Sequence, residues 1–143
     1  MDEKDLNVPQ EKIAFLFPYN GEAGKENIPP PLLAYDCEEL PSEFDLNAGV
    51  FFIGLQHKNP YYLEVQVFIA GDNEDAPVSE KRGVWVRVSD SQGHETDIAA
   101  SIDISLLKCR FEIGGSYFIE ATLLIDETPV HKNRAYFRVS KAS

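Results

Sequence analysis

The feature that most constrains the fold of this chain is an alternation of apolar and polar residues with a period of two. In residues 61–70, aliphatic side chains occupy every second position, and Glu64 and Gln66 stand between them. The aliphatic members are Leu63, Val65, Val67 and Ile69. Successive side chains of a β-strand point to opposite faces of a sheet, so this stretch predicts a strand with one buried face. That face has to be covered by a second layer.

The same alternation recurs along the chain, between clusters of turn-forming residues such as Asn20-Gly21 and residues 71–75. It predicts strands at residues 12–17, 49–57, 61–70, 83–89, 97–104, 117–125 and 131–139. A further turn is predicted at residues 90–93. About seven short strands without a long helix predict an all-β fold, an antiparallel two-sheet β-sandwich. A closed barrel is the alternative.

One detail favours an immunoglobulin-like form of the sandwich. Tyr117 stands two residues after Gly115 at the start of a late strand. Immunoglobulin-like sandwiches place a tyrosine near the start of a late strand, where its hydroxyl binds the backbone a few residues upstream. The predicted fold is therefore an immunoglobulin-like β-sandwich with a long irregular N-terminal segment.

The chain has 143 residues, which is the size of one domain. We predict a single β-sandwich domain over residues 1–143. Residues 1–11 are expected to be frayed, residues 18–47 to form an acidic, proline-containing arm docked on the sandwich, and residues 48–143 to form the strand-rich core. The apolar residues that we expect to anchor the arm are Leu32, Leu33, Tyr35, Leu40 and Phe44.

The charge of the chain is negative and unevenly distributed. The net charge is −11, and residues 1–47 hold eleven of the 24 acidic residues but three of the 13 basic ones. Such a field repels phosphate groups, so we expect no binding to nucleic acid and no attachment to anionic membranes.

Cysteine content and the chain start favour a cytoplasmic protein. Cys37 and Cys109 have neither Cys-x-x-Cys spacing nor the density of a secreted disulfide scaffold, so two free thiols are expected. The start of the chain, Met-Asp-Glu-Lys-Asp, lacks the apolar core of a signal peptide, and the longest apolar runs are far short of a membrane span.

Asp126 and His131 raise the question of a catalytic pair. The interpretation we favour is a hairpin in which residues 126–130 form a five-residue loop and Ile125 lies opposite His131. In that register Glu120 lies beside Tyr136 and diagonal to Arg134 and Arg138. No nucleophile near His131 is evident from the sequence, which argues against catalysis.

Other constellations carry no recognisable chemistry. No His or Cys spacing matches a zinc site, and the acidic loop Asp72–Asp75 lacks the ligand spacing of a calcium loop. The acidic pairs of the arm could belong to a glycosidase only if they lay at a suitable separation in space. We therefore expect no metal, no cofactor and no enzyme activity.

The most informative anomaly is a set of aromatic and arginine residues at positions that should face solvent. They alternate with the aliphatic residues of their own strands, and Trp, Tyr and Arg are the residues that anchor protein interfaces. The arm could cover part of this surface. The predicted binding residues are Trp85, Arg87, Phe118, Arg134, Tyr136 and Arg138.

These residues predict a non-catalytic protein-binding or assembly module that uses either this aromatic and arginine-rich face or an open strand edge. The expected partner is an unidentified protein, and a homodimer is compatible with the pattern. Two alternatives stay open. One is a small-ligand or carbohydrate-binding β domain that stacks its ligand on Trp85 and the tyrosines, and the other is an enzyme whose site is assembled from distant residues.

Overall fold

The structure is a computed structural model, and it describes residues 11–19, 31–57, 59–88 and 97–142. Within these ranges nine strands and no helix are present. The strands are β1 (Lys12–Tyr19), β2 (Ala34–Cys37), β3 (Ser42–Leu55), β4 (Tyr61–Ile69), β5 (Ala76–Pro77), β6 (Arg82–Val86), β7 (Ile98–Phe111), β8 (Gly115–Ile125) and β9 (Thr128–Lys141). The all-β prediction is confirmed. The turn predicted at residues 90–93 lies outside the described residues.

The strands form two sheets that face each other. The smaller sheet has the order β1-β3-β7, and all its pairs are antiparallel. The larger sheet has the order β2-β9-β8-β4, and both β5 and β6 pair with the remaining edge of β4. β2 runs parallel to β9, whereas the other pairs of this sheet are antiparallel. The smaller sheet, β1-β3-β7, corresponds to strands A, B and E of an immunoglobulin-like sandwich. In the larger sheet, β4, β8 and β9 correspond to strands C, F and G.

The core consists of the side chains that alternate inward from both sheets. Leu63, Val65 and Val67 of β4 are fully buried, as the alternation predicts, and Ile69 at the end of the strand is partly buried. No polar or charged residue is among the buried residues of the described ranges. The largest fully buried side chains are Tyr19, Tyr61, Tyr117, Phe52, Phe111 and Phe118.

Tyr117 forms the expected corner at the start of β8. Its ring is fully buried, and its hydroxyl donates a hydrogen bond to the carbonyl oxygen of Ile113, four residues upstream. The ring also contacts Phe111 of the opposite sheet, with centroids 5.0 Å apart. Tyr117 thereby ties the connection between β7 and β8 to the core.

The hairpin between β8 and β9 differs from its predicted form. The loop is the two-residue turn Asp126-Glu127, and both residues have positive φ (49° and 65°), as a type I′ turn requires. The sequence signal for this turn is absent because neither position is Asn or Gly. Ile125 pairs with Thr128, and the ladder then shifts by one residue at a bulge after Leu123. The predicted five-residue loop is therefore wrong.

The register of this hairpin is two residues away from the predicted one. Leu123 lies opposite His131, and Glu120 lies opposite Arg134 rather than Tyr136. A shift of two residues preserves the face on which each side chain lies, so the predicted division into inner and outer residues holds. The cross-strand neighbours change.

His131 and Asn133 connect the two sheets. The Ile13 amide donates to Nδ1 of His131 at 3.0 Å, and Nδ2 of Asn133 donates to the Ile13 carbonyl oxygen at 3.0 Å. Ile13 lies at a bulge of β1, where the ladder with β3 is interrupted. Two inward side chains of β9 thus bind the free edge of β1 as a neighbouring strand would. Asp126 is exposed in the turn.

The prediction of an irregular arm over residues 18–47 is wrong for most of its described part. Residues 34–37 form β2 on the edge of the larger sheet, and residues 42–47 are the first half of β3. Tyr35 and Phe44 stack with centroids 5.4 Å apart and pack against the core rather than over the outer face of a sheet. Residues 20–30 lie outside the described residues.

Exchanging His131 for Leu is expected to lower the free energy of unfolding by about 1–3 kcal/mol, because the buried amide of Ile13 loses its acceptor. Urea unfolding at neutral pH measures the change. His131→Asn is the matched control, since its amide oxygen can accept in place of Nδ1 and a smaller loss is expected. Equal stability of His131→Leu and the wild type would show that water satisfies Ile13.

Alkaline pH is expected to destabilise the fold. Burial, with a hydrogen bond to Asp103, raises the pKa of Tyr19 from 10.0 to about 12, and burial also raises the pKa of Tyr61 to about 12. Between pH 10 and 12 the unfolded chain releases phenolic protons that the folded chain keeps, so the free energy of unfolding falls as pH rises. Below pH 10 both states are protonated and the effect vanishes.

Urea unfolding across this pH range measures the slope, and Tyr19→Phe provides the control. The variant lacks one of the shifted phenols and should lose less stability on going to high pH. The same alkaline loss in the variant and the wild type would contradict a contribution from Tyr19.

Candidate binding surface on the larger sheet

The outer face of the larger sheet carries the predicted aromatic and arginine residues in rows that cross the strands. Because β4, β8 and β9 are in antiparallel register, residues opposite each other form these rows. One row contains Trp85, Tyr62 and Leu124, and another contains Phe68, Phe118 and Tyr136. The rows between them contain Glu64, Thr122 and Lys132, and then Gln66, Glu120 and Arg134.

Trp85 and Tyr62 form an aromatic pair at one end of this face, which we name the Trp85 pair. Their ring centroids are 4.9 Å apart, and the planes are inclined by 64°. Trp85 is 74% exposed. The Tyr62 ring lies over Gly83, where a Cβ atom would stand 1.8 Å from the Tyr62 hydroxyl oxygen. Gly83 therefore provides the space in which Tyr62 braces Trp85.

A second group, which we name the Arg134 cluster, consists of Phe68, Phe118, Arg134 and Tyr136. Phe68 stacks on Phe118 with centroids 5.2 Å apart, and Tyr136 contacts Phe118 at 5.4 Å. The guanidinium carbon of Arg134 lies 4.4 Å from the Phe118 centroid, a cation–π contact. Phe118 is consequently 1% exposed although it belongs to the outer face.

Polar contacts hold Arg134 beside Phe118. Its Nε donates to Glu120 at 2.8 Å, and its Nη1 lies 3.9 Å from Asp75. The hydrogen bond to Tyr136, followed by that to Glu120, raises the pKa of Arg134. The side chain of Arg134 is nevertheless 41% exposed and Tyr136 is 57% exposed, so both are presented to solvent.

A shallow cleft of about 240 Å³ separates the Trp85 pair from the Arg134 cluster, and we name it the central cleft. It is lined mainly by Glu64, Gln66, Lys81, Glu120, Thr122 and Lys132. Lys81 lies 3.2 Å from Glu64, and Lys132 lies 3.5 Å from Glu120. Its charges are thus largely compensated within the face.

The six predicted binding residues do not form one cluster. Phe118, Arg134 and Tyr136 are in mutual contact, whereas Trp85 lies at the other end of the face. Arg87 follows β6 beyond Trp85 and is exposed. The last of the six, Arg138, lies opposite Ser116 and Ala34 at the edge next to β2.

Sequence reasoning missed the members of the central cleft. Thr122, Lys132, Lys81 and Gln66 are ordinary surface residues in the sequence, and only the register brings them together. The one sequence feature that could have indicated these residues is the alternation in β4, β8 and β9, which places even-numbered residues on the outer face. The space that Gly83 leaves for Tyr62 has no signature in sequence.

Other chemistry is sparse in the part of the chain that the structure describes. No group of three His, Cys, Asp or Glu side chains there could hold a metal ion. Cys37 and Cys109 are free and buried, and burial raises the pKa of Cys109 to about 11. No helix in the described ranges is long and apolar enough to cross a membrane.

Removing the Arg134 side chain is expected to uncover Phe118. Arg134→Ala should lower the free energy of unfolding by about 1 kcal/mol, the sum of an exposed cation–π contact and an exposed ion pair. Urea unfolding measures this loss. Arg134→Lys keeps the charge but not the planar guanidinium and should lose an intermediate amount. If both variants equal the wild type, Arg134 does not cover Phe118 in solution.

Comparison with known proteins reveals likeness in fold. No protein-family model and no curated protein matches the sequence. The structure is similar to that of a bacterial adhesin from Mobiluncus mulieris containing intramolecular disulfide, isopeptide and ester bond cross-links, at 12% sequence identity and a TM-score of 0.63. The match covers 93% of this chain and 58% of the adhesin chain, and a second crystal form of the adhesin gives the same values.

A putative β-galactosidase from Bacteroides fragilis matches with a TM-score of 0.44, at 15% identity, over 71% of this chain and 15% of that chain. Of the adhesin chain, this chain spans 58% of the length. At 12% identity the likeness to the adhesin shows a shared β fold.

Proposed function

We propose that this chain is a non-catalytic binding module and that its contact surface is the outer face of the larger sheet. The single observation that carries the proposal is the exposure of Trp85 and Tyr136 on one face, each held in place by neighbouring side chains. Aromatic rings and arginines that are already ordered lose little conformational entropy on binding, which favours them as contact residues.

The coverage of both edges of the smaller sheet argues against these edges as the contact. The side chains of His131 and Asn133 bind the edge of β1. On β7, the Arg110 amide donates to the Val78 carbonyl oxygen at 3.0 Å, and Arg82 donates to the Ser105 carbonyl oxygen. Edges covered in this way accept an added strand poorly.

The adhesin likeness is compatible with a binding role, because that protein is named as an adhesin. A protein partner is one candidate ligand, since Trp, Tyr and Arg are enriched at the anchoring positions of protein interfaces. A carbohydrate is the second candidate, and the central cleft beside the Trp85 pair is the observation that favours it.

The proposal predicts that binding depends on the outer face of the larger sheet alone. The wild type, a Trp85→Ala/Tyr136→Ala variant and a Phe15→Ala control are immobilised and exposed to an extract of the source cells. Phe15 is a matched control because it is an exposed aromatic residue (52%) on the smaller sheet. Bound proteins are identified by mass spectrometry and bound polysaccharides by sugar analysis.

The expected result is a species that the wild type and Phe15→Ala retain and that the double variant loses. Circular dichroism and urea unfolding establish that all three are folded. Retention of the same species by the double variant would contradict a contact through this face, and so would the absence of any species that distinguishes the variants.

A further inference from the structure

We infer that the ligand of the outer face is a linear, uncharged oligosaccharide that lies along the strands, from the Trp85 pair across the central cleft to the Arg134 cluster. The inference rests on the proposed function and names the ligand class of the same surface. It follows from three observations: the order of the aromatic and charged groups along the face, the pairing of the charges, and the hydrogen bonds within the sheet that occupy the backbone beneath the face.

The charged residues lie at the centre of this face and the aromatic residues at its ends, which is the reverse of the order in a protein interface. Stable interfaces have an apolar centre, depleted of Lys and Glu, and a polar rim. Here Lys81, Lys132, Glu64 and Glu120 occupy the centre, and the aromatic groups lie at the two ends. A globular partner would have to desolvate the paired charges in order to reach both aromatic groups, which is costly. A narrow, linear ligand meets both ends without covering the whole face.

The separation of the two ends fits an extended ligand. Tyr62 and Phe68 mark the ends on the same strand and are six residues apart in β4. At a rise of about 3.3 Å per residue they lie about 20 Å from each other. The cleft between them, at about 240 Å³, is smaller than the roughly 300–1,000 Å³ of pockets for drug-sized molecules. It therefore accommodates one unit of a chain rather than a whole compact ligand.

The charges of the cleft favour a neutral ligand. Glu64 is paired with Lys81, and Glu120 is paired with Lys132 and Arg134. An anionic or cationic ligand would have to compete with these ion pairs. Sugar hydroxyls both donate and accept hydrogen bonds, so they can bind to the ammonium and carboxylate groups of a pair at the same time. The Thr122 hydroxyl adds a further donor and acceptor on the floor of the cleft.

The backbone beneath the face disfavours an extended peptide. β8 pairs with both β4 and β9, and β4 pairs with β8 on one side and with β5 and β6 on the other, so the amide and carbonyl groups of these two strands are largely used in the ladders within the sheet. A peptide on this face would find no backbone partner for its own amide and carbonyl groups. A sugar chain has no such row of obligatory groups.

The Trp85 pair provides a stacking surface. The indole ring is 74% exposed and is braced on one side by Tyr62, so its orientation is set before binding. The faces of aromatic rings carry partial negative charge, which attracts the weakly positive C–H groups on the face of a pyranose ring. Tyr136 offers a second exposed ring at the far end.

Trp85 is the only tryptophan of the chain, so its fluorescence reports on this site directly. The experiment titrates the full chain with cellohexaose, chitohexaose and maltohexaose and, in parallel, applies labelled protein to an array of neutral, acidic and sulfated glycans. We expect a saturable change of Trp85 emission with at least one neutral oligosaccharide, and stronger binding of longer chains than of the monosaccharide. Binding should also raise the melting temperature.

Variants assign the binding to the two ends and to the cleft. Calorimetry should show binding weakened roughly tenfold or more in Trp85→Ala, a change expected for loss of an anchoring residue. Trp85→Phe should retain part of the affinity, and Thr122→Val should weaken binding without changing the fold. Phe15→Ala, on the smaller sheet, should bind as the wild type does.

Three outcomes would overturn the inference. The first is binding confined to acidic or sulfated glycans, which would mean that the basic groups of the face select the ligand in spite of their ion pairs. The second is the absence of any glycan binding together with a face-dependent protein in the extract experiment, which would leave the proposed function standing with a different ligand class. The third is glycan binding that Trp85→Ala leaves intact. Failure of the proposed function itself would appear separately, as the absence of any face-dependent ligand in the extract experiment.

Discussion

The rest of the structure depends on the contact between the two sheets, which is anchored by aromatic rings. Phe111 of β7 meets Tyr117 of β8 and Phe137 of β9, with centroids 5.0 and 6.2 Å apart and planes nearly perpendicular. Edge-to-face pairs of this kind are favoured by the ring quadrupoles and bury large apolar areas. The inward side chains of β8 from Tyr117 to Leu123, and Phe137 and Val139 of β9, are buried in this contact. Because side chains alternate along a strand, the other residues of β8 and β9 face outward, and most of these residues are polar or aromatic.

The outer face of the larger sheet is organised by pairing within the sheet rather than by the core. Phe118 is an outward residue, yet it is buried because Arg134, Phe68 and Tyr136 surround it. Each exposed ring is therefore supported by a second ring or by an ion-paired guanidinium. Such support orders the surface before any ligand arrives, and it lowers the entropic cost of binding. The smaller sheet also carries exposed rings, since Phe15 stacks on Phe51 with centroids 4.4 Å apart.

The sequence predicts which face of a strand is buried better than it predicts which residues of the neighbouring strand lie opposite. The alternation of Leu63, Val65 and Val67 predicts which side of β4 is buried, since the side-chain period of a strand is two whatever its partner. The hairpin register was not predictable because the turn Asp126-Glu127 lacks the Asn-Gly signal of a type I′ turn and a bulge follows it. A register error of two residues left the faces correct but paired Glu120 with the wrong residue. The residues of the central cleft could not be grouped without that register.

The sequence by itself determined the fold class, the inward residues and the presence of aromatic and arginine side chains on outward positions, because these follow from local alternation. It also predicted the tyrosine corner, since Tyr117 and Gly115 are close in the chain. Only the tertiary structure decided that the six predicted residues are divided between two ends of a face, that a charge-paired cleft lies between those ends, and that His131 and Asn133 bind the edge of β1. Each of these depends on pairing between strands that are distant in sequence, and the energies that select one register are distributed over turns, bulges and core contacts throughout the chain.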